Sequence, residues 1–218
     1  VIEETYDYRM NIEEEELWIN NFGKDNFEKS IEVIHAVEEK FDVAYTDYSF
    51  RMLAEYLSIQ LFRTRMGNVI TEDIYIPETF NRNESLVNMV VEHFEQLGKV
   101  NLNEYEKQYI DILFASAAVQ TAENANKVHM ISEFEEKNKE ICEEMLEYLS
   151  EILNINLLDN ELLRTSLEGF IPASIVRTAY GIEVKNPFLS DIREMYSGIL
   201  ATCFTLGKFY EEYSKSIP

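Results

Sequence analysis

The feature that most constrains this 218-residue chain is a stretch that occurs twice, at residues 53–67 and again 114 positions later at 167–181. Leu53, Tyr56, Leu57, Leu61, Arg63, Thr64 and Gly67 of the first copy fall against Leu167, Phe170, Ile171, Ile175, Arg177, Thr178 and Gly181 of the second. A leucine, an aromatic three residues on, an Arg-Thr pair and a closing glycine all coincide. Within each copy the apolar residues recur at three- and four-residue steps, the period of a helix with one buried face. A repeated supersecondary unit buries that face against neighbouring elements, so the chain is expected to hold two related helical units. Upstream of each copy lies another amphipathic stretch, 27–42 and 135–153.

The rest of the chain has the same period. Phe27, Ile31, Ile34, Val37 and Phe41 form one stripe; Phe50, Leu53, Leu57 and Leu61 another. Leu86, Val90, Phe94 and Leu97 form a third, and Phe134, Ile141, Met145, Leu149 and Ile152 a fourth. Start signals accompany them. Ser132 with Glu135, and Asn101 with Glu104, have capping-box spacing, and Asn186-Pro187 reads as an N-cap followed by proline at the first helical position. Pro172 falls inside the second copy and is expected to kink or restart that helix. Only 7 Gly and 4 Pro punctuate the sequence, which favours long helices over many short strands. The least helical stretch is 67–82, with Gly67, Pro77 and the β-branched run at Ile74-Tyr75-Ile76. It reads as a long loop with a short extended piece. The expected organisation is a helix within 1–22, a first unit over 26–120, a boundary segment over 121–132 and a second unit over 133–218. Asn11-Ile12 through Glu16 echoes Asn101-Leu102 through Glu106. The N-terminal helix therefore resembles the last helix of a unit, one that completes the second unit or belongs to a preceding one.

Charge narrows the function. The net charge of −22 repels nucleic-acid phosphates, so any DNA contact falls to flanking parts of a longer protein, and the non-Met first residue Val1 fits such a fragment. No apolar run approaches the roughly 20 residues that span a bilayer. No secretory signal opens the chain. Cys142 and Cys203 are isolated, with neither metal-ligand spacing nor a disulfide framework, which suits a reducing cytoplasm.

These motifs resemble the PTS regulation domain (PRD), found in pairs in antiterminators of the LicT/BglG type, in mannitol-type activators and in virulence activators of the Mga/AtxA type. Its second helix follows Leu-x-x-His, then spaced apolar positions, Arg and a closing Gly, a pattern that both copies meet except at the histidine. Its third helix reads Asn-Pro, two apolar residues, Ile and Tyr, and Asn186, Pro187, Phe188, Leu189, Ile192 and Tyr196 follow it. Its fifth helix opens as Leu102-Asn-Glu104-Tyr-Glu106 does. The resemblance implies an all-α protein of two tandem PRD-like bundles of about five helices each, acting as the regulatory and dimerisation region of a transcription regulator. It implies a homodimer, partners among the phosphotransferase-system proteins, no cofactor and no catalytic activity. It also implies a helix-turn-helix part upstream and a phosphotransferase-like part downstream. Family members are regulated by phosphoryl transfer to histidines; here the corresponding positions are Tyr56, Leu113 and Phe170. Neither Phe nor Leu accepts a phosphoryl group and Tyr replaces imidazole poorly, which places the chain nearest the Mga/AtxA-like branch.

The remaining candidates each have a plainer reading. His35, His93 and His129 are alternative phosphoryl acceptors, or else histidines with a local hydrogen bond. Arg63 and Arg177 pair with a phosphorylated group or a carboxylate, or else lay their stems along apolar neighbours. Glu32 with His35 is one fragment of a di-iron bundle signature that needs a second such motif, so a metal-dependent helical enzyme has little to stand on. A helical protein-interaction adaptor is the other alternative.

Overall fold

A computed structural model describes residues 12–76, 83–120, 134–183, 189–198 and 201. Among them lie eight helices and no strand: α1 (Ile12–Phe22), α2 (Lys24–Phe41), α3 (Asp47–Arg65), α4 (Glu84–Gly98), α5 (Glu104–Ala115), α6 (Phe134–Leu153), α7 (Glu161–Tyr180) and α8 (Leu189–Met195). The protein is therefore all-α, as the periodicity requires. The extended pairing present is an isolated antiparallel bridge, Tyr45 to Val119. It is flanked by hydrogen bonds from Thr46 N to Ala118 O (3.0 Å) and from Gln120 N to Ala44 O (2.8 Å).

Local chemistry sets the helix starts. Thr46, Asn83, Asn103 and Asn160 each accept from the amide three residues on, satisfying a donor that the first turn cannot. The cap of α5 is thus Asn103 rather than Asn101, because the helix begins at Glu104, two residues later than the Asn101 box requires. Ser132 and the Asn186-Pro187 pair lie outside the described residues. Pro172 does not break α7, which runs unbroken from Glu161 to Tyr180 with Pro172 buried inside it. Packing on both sides of the proline, through Ile171, Ala173, Ile175 and Val176, outweighs the missing amide.

The apolar stripes converge as their spacing implies. Phe27, Ile34 and Val37 of α2, Phe50, Leu53, Leu57 and Leu61 of α3, Leu86, Val90 and Phe94 of α4, and Ile110 and Leu113 of α5 make one buried core. Each such side chain contributes about 1.5–3 kcal/mol relative to exposure. α1 packs on α2 and α3 and adds Trp18, whose ring lies 6.0 Å from Phe27. A second, smaller core joins Ile141 and Cys142 of α6 to Ile171 and Ile175 of α7. Burial, reinforced by the Glu168 carboxylate, pushes the Cys142 thiol up to about 12, so it is neutral and unreactive near pH 7. The cores meet at a seam: Val176 of α7 and the following Ile182 belong to the first.

The repeated stretches end alike. Gly67 (φ 79°) and Gly181 (φ 62°) both take the left-handed conformation. The amide after each, Asn68 N and Ile182 N, reaches back five residues to Arg63 O (2.8 Å) and Arg177 O (2.9 Å). A Cβ at either glycine would meet nothing within 4 Å, so the penalty for a side chain there is conformational alone. Gly67→Ala and Gly181→Ala are each expected to lower stability by about 1–2 kcal/mol in urea melts. A neutral outcome at either position would show that the two ends are not alike.

Candidate functional site

The side chains of Gln60 and Arg63 stand three residues apart on α3 and therefore share a face. Facing them is Glu106, the third residue of α5, with a side chain that is 0% exposed. An ionised carboxylate in the interior persists only when its oxygens are fully engaged. Those of Glu106 are. Arg63 grips it with both terminal nitrogens, Nη1 on Oε1 and Nη2 on Oε2, the latter at 2.6 Å. Gln60 Nε2 donates to Oε2 at 2.8 Å and to the Glu106 backbone carbonyl at 3.1 Å. The backbone amide of Ile70 donates to Oε1 at 2.7 Å.

The same residues fasten the loop after α3. Asn103, which caps α5 by accepting from Glu106 N at 2.9 Å, also donates to Ile70 O at 2.9 Å. Gln108 accepts from Ile74 N (3.3 Å) and donates to Asp73 (2.9 Å). Tyr109 places its ring 5.6 Å from the Arg63 guanidinium carbon, a cation–π contact. Burial, with the neighbouring Tyr56 second, raises its phenol above the usual range. Tyr56, Gln60 and Arg63 thus form a face of α3 on which α5 sits.

On α7 the equivalent face is Phe170, Ser174 and Arg177, and its surroundings differ. Arg177 Nη1 donates to the carbonyl of Ser116, just past the end of α5, at 2.7 Å, and its guanidinium carbon lies 5.1 Å from the Phe170 ring. Phe170 is 50% exposed. One turn on, Tyr180 donates to Tyr75 O at 2.9 Å, tying the second unit to the loop of the first. Between the start of α3, the segment near Ala118 and this face of α7 lies a cleft of about 970 Å3.

The positions singled out by sequence do not gather in one place. Tyr56 is half-buried against the first core, Leu113 is fully buried within it, and Phe170 lines the cleft between units. His35 lies 3.2 Å from Glu38 and its ring packs on Phe50. His93 Nδ1 lies 3.1 Å from Met89 O. His129 is outside the described residues. Among the described residues no group of three or more His, Cys, Asp or Glu is placed to hold a metal, and no helix is long and apolar enough to cross a membrane. Sequence reasoning passed over Glu106 and Gln60. The available signal was Asn103 three residues before Glu106, which places that glutamate one turn into a capped helix.

Against known families, residues 143–218 match the PRD domain. No curated protein and no solved structure matches the chain significantly. The matched residues include α7 and therefore the second copy of the repeat, and the repeat in turn relates them to α3 of the first unit.

Removing one partner of a buried ion pair leaves an uncompensated charge, so Glu106→Gln is expected to destabilise the protein by about 3–5 kcal/mol. Arg63→Met combined with Glu106→Met should cost clearly less than the sum of the single changes in a urea-denaturation cycle. Additive losses would mean that the pair is not coupled.

Proposed function

We propose that this chain is the regulatory and dimerisation region of a PRD-type transcription regulator, of the character of the Mga/AtxA-like activators. In this reading the usual phosphoryl-accepting histidines have been replaced. The observation that carries it is the PRD match over 143–218, extended to the first unit by the repeat that relates α3 to α7. A tandem pair of helical units with an exposed apolar rim suits association: Ile152, Leu153, Ile155 and Leu162 near the turn between α6 and α7 are all solvent-exposed. The occupants of the family's acceptor positions support the loss of histidine chemistry. Leu113 is buried and has no nucleophile, Phe170 has none, and Tyr56 is held half-buried under the α5 contact. Regulation then acts through how units pack, within a chain or between two chains, which is a shift between discrete arrangements. The setting is cytoplasmic. DNA is reached through other parts of the parent protein, because a charge of −22 disfavours direct contact.

Two measurements test this. Light scattering on the purified chain is expected to give a mass near twice 25.6 kDa, and a strict monomer at high concentration contradicts association. Incubation with the phosphotransferase cascade and labelled phosphoenolpyruvate is expected to label the chain weakly or not at all. Strong labelling at Tyr56, His35, His93 or His129 would show that phosphoryl control persists.

A further inference from the structure

α3 and α7 carry the same face, and the two faces meet different surroundings. On α3, Tyr56, Gln60 and Arg63 receive Glu106 and Tyr109 of α5. On α7, the equivalent Phe170, Ser174 and Arg177, with Thr178 and Gly181, line the open cleft. The first unit therefore shows what this face is shaped to hold. We propose that the cleft is a docking groove for an amphipathic helix of the α5 type, one that presents a glutamate to Arg177 and an aromatic ring three residues later to the Phe170 end. The inference rests on the repeat, not on the regulatory reading.

Three observations support that occupant. Arg177 is the sole cation among the described residues lining the cleft, and its counterpart Arg63 shows the carboxylate geometry this motif arginine adopts. Half-exposed Phe170 gives an apolar wall that an incoming ring would cover, as Tyr109 covers Arg63 on α3. Asp47 and Glu183 also line the cleft, so the rest of the occupant should be neutral or basic there; in α5, Lys107 follows the glutamate directly. A cleft of about 970 Å3 takes a few turns of such a helix rather than a whole domain. An occupant would also close the seam, because Arg177 and Tyr180 of the same helix contact Ser116 and Tyr75 of the first unit.

The test appends residues 101–116 after Pro218 of the full chain through a flexible Gly-Ser linker of about 15 residues, which holds the added helix at millimolar effective concentration. Docking is expected to raise the melting temperature by roughly 3 °C or more and to slow amide exchange over 174–178. Glu→Gln at the position of the added copy that corresponds to Glu106 should abolish both effects. So should Arg177→Gln in the host, and so should Ser174→Trp, which fills the groove without touching the arginine. Equal melting of the Glu and Gln fusions overturns the proposal. A rise that survives both host changes also overturns it, since docking would then be elsewhere. The same shift produced by millimolar sodium benzoate on the unfused chain would assign the cleft to a small carboxylate and overturn the helix.

Discussion

The first unit depends on one buried ion pair. Glu106 is wholly removed from solvent, and the guanidinium of Arg63, the amide of Gln60 and the backbone of Ile70 converge on it. Taking both charges out of water costs several kcal/mol per ion, which Coulomb attraction returns only when every hydrogen bond is made. Here they are made, and each comes from a different element: α3, α5 and the loop that follows α3. The apolar core would tolerate small slides of α5 along α3, since hydrophobic contact has little directionality. The carboxylate does not, because a shift of one residue would turn it away from Arg63. Registry, more than net stability, is what the pair supplies.

That registry separates the two copies of the repeat. Both helices end at a left-handed glycine with the same return hydrogen bond, so their local structure is one design used twice. Their arginines then diverge. Arg63 is committed to a buried carboxylate within its own unit, whereas Arg177 reaches across the seam to a backbone carbonyl and lies over Phe170. An arginine on a backbone carbonyl is held by dipole rather than charge, so its contact is the more easily exchanged of the two. The seam is therefore the natural place for rearrangement, and the Tyr180–Tyr75 bond carries any movement of α7 to the loop that Glu106 anchors.

Much of this was legible in the residues. The stripes of α2, α3 and α4 are buried almost as their spacing implies, because a 3.6-residue period leaves little choice of face. The repeat located α7 and its glycine end. On α6 the stripe was less exact: Leu146 is fully buried while Ile152 is exposed, since this helix has fewer neighbours to fix its rotation. The start of α5 was misplaced by two residues, as Asn101 and Asn103 offer equal side chains and only the backbone decides between them. Pro172 misled because its local cost is real but smaller than the packing around it. Glu106 was invisible as a site residue: in a chain with 41 acidic side chains, nothing local marks the one that is buried.

Amide exchange at Ile70 tests the central claim most directly. Ile70 lies in a loop without helix or strand, and its amide is held only by the Glu106 carboxylate at 2.7 Å. If that carboxylate organises the unit, the amide exchanges as slowly as the interior of α3, through global rather than local opening. Exchange at the rate of an unprotected loop, with α3 still protected, would contradict the account.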